Sequence, residues 1–186
     1  IENMIRQGQR DTLDVSITNA KVDGQVVSAT VNIRNKAGHR FPSGVAFRRA
    51  FIEFTVRDGD KIIWSSGRTN EIGVILDGKK QPLPSEFLPD TGKQRYQRHY
   101  QTIDSEDQVQ IYEELNKNAA GQFTSSFIHR VEHVKDNRLL PKGWRESSHF
   151  KPEGELMVQF MESTDPFAVD GDADYADIGP DFIGGD

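Results

Sequence analysis

The sequence predicts a mainly β chain, an antiparallel two-sheet β-sandwich of immunoglobulin-like or related type with long loops and little helix. Three observations lead there: short stretches in which apolar and polar residues alternate, Asp-Gly turn signals between them, and little 3.6-residue periodicity in the connecting segments. The 186 residues suit one domain with a core, so residues 1–186 are read as a single unit.

The opening Ile1-Glu2-Asn3-Met4-Ile5-Arg6 reads as the tail of a helix, giving a helical lead-in over 1–11 and the expectation that the chain is a fragment of a longer one. Alternation over Leu13, Val15 and Ile17, then over Val27, Ala29, Val31 and Ile33, predicts two half-buried strands joined at Asp23-Gly24. Ala50, Ile52, Phe54 and Val56 repeat the pattern, which stops at Asp58-Gly59-Asp60 and resumes at Ile62 and Trp64. Residues 77–98 mix prolines, glycines and charges without a period and are read as a long surface loop outside the core. Val109, Ile111 and Leu115 give a further strand. The ambiguous run Phe123 to Val134 is read as a strand paired with 108–115, and Leu156, Val158 and Phe160 as a late strand.

Composition excludes several classes of function. With no Cys, the chain has no disulfide, no thiolate metal site and no Cys-x-x-Cys-His, so it carries no covalent haem. The net charge of −6 resides in residues 165–186, an acidic segment with seven Asp and neither Lys nor Arg; the remainder is close to neutral. No basic face suggests nucleic acid, and no stretch is apolar and long enough to span a membrane. A Gly-x-Ser-x-Gly elbow and a phosphate-binding Gly-rich loop are both missing, so no enzymatic chemistry is assigned.

Four groups of side chains are candidates for function. His39 stands in the turn-rich Gly38-His39-Arg40-Phe41-Pro42-Ser43-Gly44, where it either hydrogen-bonds the turn or is displayed as a ligand. Arg48 falls in phase with Ala50, Ile52 and Phe54, so a guanidinium at the rim of the core face needs an anionic partner, first of all a structural carboxylate; Arg49 follows it. Asp136, Asn137 and Arg138, ahead of Leu139-Leu140-Pro141, read as a brace for a loop over the sandwich edge. Asp170, Asp172, Asp174, Asp177 and Asp181 have the spacing of a calcium loop, although Tyr175 stands where an EF-hand needs Gly and a solvated acidic loop is the simpler reading. His129 and His133 would form a metal pair only on a helix.

Gly38-His39-Arg40-Phe41-Pro42-Ser43-Gly44, Arg48-Arg49-Ala50, Trp64-Ser65-Ser66-Gly67, Gln108 to Glu113, Lys135 to Trp144 and Asp181 to Asp186 together resemble the C-terminal β-rich region of bacterial multihaem cytochrome c family proteins. The resemblance spans most of the chain in separated motifs. It implies a non-haem accessory or docking domain of a bacterial protein exported to the periplasm or beyond and engaged in electron transfer. Haem c would be held by a segment of the same parent, with a redox partner protein docking nearby, and His39, Arg48 and Arg49 facing the haem or that partner. The alternative from the residues themselves is an extracellular binding or adhesion sandwich whose acidic loop holds calcium.

Overall fold

The computed structural model describes residues 2–44, 47–87 and 96–142. These are mainly β, with antiparallel pairing throughout the named strands. They fall into two compact units, residues 2–43 with 139–142, and 44–138. The late strand expected around Leu156 and the five aspartates from Asp170 to Asp181 lie outside the described residues.

The first unit begins with a helix, α1 (Glu2–Arg6), widening to a π turn over Gln7–Asp11. A long hairpin follows: β1 (Leu13–Asp23) runs against β2 (Val26–Asn35), closed by a two-residue loop whose Gly24 has a φ of 59°, the positive value a tight hairpin turn demands. The register sets Val15 opposite Ile33 and Ile17 opposite Val31, so these side chains share one face. Between Thr18 and Lys21 the register shifts at a bulge, where Asn19 takes a φ of 53°. The extra residue resets the alternation and returns Val22, opposite Val27, to the apolar face.

The half-buried expectation for this hairpin holds at its foot, where Leu13, Val31 and Ile33 are half-buried, and fails elsewhere on the apolar side. Val15 is 59% exposed, Ile17 58%, Val22 76% and Val27 50%. Alternation established which side of the ribbon is apolar, and among the described residues no element covers it.

The foot of the hairpin is tied to the chain's later part. Phe41 and Leu139 exchange both backbone hydrogen bonds, at 2.9 and 2.8 Å. Buried Asn35 donates its amide to the carbonyls of His39 (2.7 Å) and Leu140 (3.0 Å) while its Oδ1 accepts the Ala37 N–H. One side chain thereby satisfies three backbone groups that the turn withholds from a ladder.

The second unit is organised on β6 (Ile111–Asn118), which pairs with β3 (Arg49–Phe51), with the short β7 (Phe123–Thr124) and with β8 (Arg130–Asp136). A separate hairpin joins β4 (Phe54–Asp58) to β5 (Lys61–Ser66) through Gly59-Asp60, with Phe54 and Trp64 in edge-to-face contact at 6.2 Å. At Gly67 an added Cβ would sit 2.1 Å from the Ile52 carbonyl oxygen, so only Gly allows the backbone of this strand end to approach so closely.

The buried apolar cluster is Ile75, Leu83, Val109 and Ile111, backed by Phe51. Leu83 corrects the reading of 77–98 as wholly superficial. It is held inward by the Leu83-to-Ile75 backbone bond and by Glu86, in the 3₁₀ turn Pro84–Glu86, whose carboxylate accepts the Ile75 N–H. Residues 88–95 of that loop lie outside the described residues.

Candidate functional site

The sequence-derived candidates occupy different settings. His39 is exposed, with Nδ1 3.0 Å from the Arg40 carbonyl oxygen. A carbonyl only accepts, so this bond places the ring proton on Nδ1 and leaves the lone pair on Nε2. The turn role and a ligand-competent tautomer therefore coexist in one geometry.

Arg48 precedes β3 and is exposed, its guanidinium 5.7 Å over the Phe47 ring, so its expected place at the rim of the core face is corrected. The β3 strand begins only at Arg49, and Arg49 makes the carboxylate pair. Its two terminal nitrogens donate to the two oxygens of Glu86 at 2.6 and 2.7 Å, the bidentate arrangement that suits a planar guanidinium. Glu86 also receives the Ile75 N–H, so the ion pair and the loop over the core are one structure.

Asp136 is the last residue of β8, and Asn137 and Arg138 follow it. Asn137 is fully buried; its amide donates to the Ile111 carbonyl at 2.9 Å and its Oδ1 accepts the Glu113 N–H at 3.0 Å. Arg138 grips Asp136 through Nε (2.7 Å) and Nη2 (2.6 Å) and donates from Nη1 to the Gly44 carbonyl at 3.1 Å. These three residues secure a strand end to its neighbours and to the Gly44 loop.

A polar network inside the second unit was not anticipated. Lys135, 0% exposed, points its ammonium at the carbonyls of Gln97 (2.7 Å) and Ile111 (2.9 Å) and at Glu113 Oε1 (2.9 Å). All three donors are engaged, which is the condition for keeping a charge in a site without water. Beside it, His99 Nδ1 faces the amide nitrogens of Gln110 (2.6 Å) and Asn137 (3.2 Å), so Nδ1 accepts and the proton resides on Nε2. Burial first, then the Lys135 charge, pushes His99 down to about 3, against a hydrogen bond with Gln101 that favours the protonated ring. Tyr112, whose ring lies 6.2 Å from that of His99, is pushed up to about 12 by burial. The ammonium and imidazole are committed to backbone, carboxylate and amide partners, and their chemistry is that of a cross-link between 97–101, β6 and β8. The signal in the sequence was a lysine and an aspartate directly after Val134, polar residues set where a strand should be deepest.

At the start of β8 the chain presents an apolar surface. Phe127 is 61% exposed, Ile128 86% and Val131 68%. The rim is charged but internally paired. Arg130 lies 4.3 Å over the Phe127 ring and binds buried Glu114 at 2.8 Å, while Lys117 meets Glu132 at 3.4 Å. His129 is in the turn and His133 on the strand, so the two do not share a helical face. Among the described residues no group of three or more His, Asp or Glu is placed to hold a metal ion, and no helix is long and apolar enough to cross a membrane.

A shallow cleft of about 350 Å³ beside β5 is lined by Trp64, Arg68, Asp77 and Lys80 among others. Its other acid, Glu106, is spent on the Ser65 N–H at 2.8 Å. No family model, no curated protein and no solved structure matches the chain.

Proposed function

We propose that the chain is a non-haem accessory and docking domain of an exported, periplasmic or extracellular multihaem c-type cytochrome, seating the haem-bearing segment of the same parent on the surface formed by Phe127, Ile128 and Val131. One observation carries the docking part: large apolar side chains stand more than half exposed at one strand end, and such a patch favours a protein contact. The haem part rests on the resemblance of the separated motifs, together with a chain that has no Cys to attach a porphyrin.

The paired rim gives the contact its character. Arg130 is neutralised by Glu114 and Lys117 by Glu132, so the surface offers apolar area with little net field. Association through it depends weakly on salt, unlike docking by steering between unpaired charges. Haem c belongs to the partner segment in this reading, and the domain supplies a rigid, redox-silent platform. Absorption spectra test it: the full-length parent shows c-type haem bands and this chain alone shows none. A parent without Cys-x-x-Cys-His motifs or haem bands overturns it.

A further inference from the structure

Residues from β5, from 68–69, from 76–80 and from 106, all within the second unit, converge on the cleft beside β5. Its lining divides by chemistry. Ile63, 54% exposed, and half-buried Trp64 and Leu76 contribute apolar surface. Arg68, Lys80, Asp77 and Glu106 contribute two charges of each sign.

Both walls are set by the backbone. Val56 stands opposite Trp64 and Arg57 opposite Ile62, so Ile63 is an extra residue on β5, a bulge. A regular strand sends consecutive side chains to opposite faces, whereas a bulge bends the strand and re-aims them, and Ile62, Ile63 and Trp64 all line the one cleft. In the facing turn Asp77 Oδ1 accepts the N–H groups of Lys79 (2.9 Å) and Gln81 (2.8 Å), and the Gly78 N–H donates to Asp107 Oδ1 at 2.9 Å. Lys80 closes this turn with a φ of 62°. A wall fixed in advance loses little freedom when a ligand arrives.

The acids of the cleft are engaged and its bases are not. Glu106 Oε1 accepts the Ser65 N–H at 2.8 Å, and Oε2 packs so near Gly78 that a Cβ added there would lie 2.7 Å from it. Asp77 is committed to its own turn. Arg68 and Lys80 are exposed, and among the described residues neither side chain has a hydrogen bond or an ion pair. The groups left to meet a ligand are therefore two cationic donors beside an apolar wall.

We propose that this cleft binds a small organic acid, a monoanionic carboxylate on an aromatic or aliphatic body, with the body against Ile63, Trp64 and Leu76 and the carboxylate toward Arg68 and Lys80. Its volume of about 350 Å³ falls within the range of small-molecule sites. A carboxylate only accepts hydrogen bonds, and guanidinium and ammonium only donate them, so the two chemistries match. The fixed charges of Asp77 and Glu106 select a monoanion, because a phosphate dianion meets about twice the repulsion from them. Neither the Phe127 surface nor a haem-bearing partner takes part in this binding.

Calorimetric titration of the full 186-residue chain with phenylbutyrate, phenylbutanol and phenylbutylamine compares three probes that share an apolar body and differ in the charge of the head. Phenylbutyrate is expected to bind saturably and the other two about 10-fold more weakly. Arg68→Gln with Lys80→Gly removes that preference at an unchanged urea midpoint, since both positions are exposed and Gly suits the positive φ at position 80. Ile63→Ser weakens all three probes alike. Failure of phenylbutyrate, phenylacetate and benzoate to bind saturably overturns the proposal. So do equal affinities for the three heads, a preference for the amine, tighter binding of inorganic phosphate, or a carboxylate preference that survives the Arg68 and Lys80 substitutions. Should the double variant unfold, Arg68→Gln alone is read in the same way, with a reduced preference expected and an unchanged one contradicting the site.

Discussion

Arg138 Nη1 lies 3.1 Å from Glu114 Oε2, and on the other oxygen of the same carboxylate Arg130 sits at 2.8 Å. Glu114 is buried, with the Asn116 amide also donating to Oε1 at 3.1 Å and His133 Nδ1 standing 3.7 Å from that oxygen, beyond hydrogen-bond distance. One carboxylate on β6 therefore binds both ends of β8, the start that bears the apolar surface and the end whose Arg138 holds Gly44. Replacing Glu114 by Ala leaves two guanidiniums without their shared anion and is expected to cost about 3 kcal/mol in denaturant unfolding, toward the low end for a buried pair because Arg130 is partly exposed. The exposed Lys117–Glu132 pair gives the contrast: Lys117→Ala costs about 0.5 kcal/mol.

Lys135 makes a second comparison. Lys135→Met keeps the stem but strips the Gln97 carbonyl and Glu113 Oε1 of the ammonium and leaves the Ile111 carbonyl to Asn137, and a loss of about 3–5 kcal/mol is expected. Adding Glu113→Gln restores part of it, since the orphaned carboxylate charge is gone. A double-mutant cycle by urea unfolding that returns simple additivity contradicts the coupling.

The pH dependence follows from His99 and Tyr112. His99 binds its proton near 3 when folded and near 6.5 when unfolded, so the unfolded chain takes up protons first on acidification. Its contribution is complete above 6.5 and is lost as pH falls toward 3, with a slope of up to about 1.4 kcal/mol per pH unit. Tyr112 acts at the other end: folded near 12 and unfolded near 10, it contributes fully below 10 and loses that contribution as pH rises to 12. Unfolding free energies between pH 4 and 7 for the native chain and for His99→Gln check the first limb, which the substitution is expected to flatten.

Arg49 and Glu86 link a strand to the loop over the core. Glu86→Gln keeps a side-chain acceptor for the Ile75 N–H but abolishes the bidentate ion pair, and an expected loss of about 1–2 kcal/mol, measured as a shift in urea midpoint at constant slope, distinguishes a local from a global role.

What the sequence made legible was local. The turns at Gly24 and Gly59 and the strands beside them were readable because two-residue Gly loops and alternation are written in neighbouring residues. The burial of Leu83 was not, since it comes from Glu86 binding both Ile75 and Arg49, contacts between residues distant in the chain within a segment of loop-like composition. The exposure of the β1–β2 face escaped for a related reason: periodicity names an apolar side and says nothing of what covers it. Arg48 and Arg49 exchanged parts because the β3 residue packed on the core is Phe51, in phase with Arg49, whereas the alternation set Ala50 and Ile52 on the core face. The burial of Lys135 and His99 was not legible, since a buried cation is intelligible only with its acceptors, which come from 97, 111 and 113.

The central claim is that Phe127 and Ile128 form the seat for a haem-bearing segment. Calorimetric titration of the parent's Cys-x-x-Cys-His-bearing segment into this chain, at low and at high salt, tests it most directly. The account predicts binding that changes little with salt and weakens at least 10-fold in the Phe127→Asp, Ile128→Asp variant, with folding retained. No association, or equal affinity for the native chain and that variant, would contradict it.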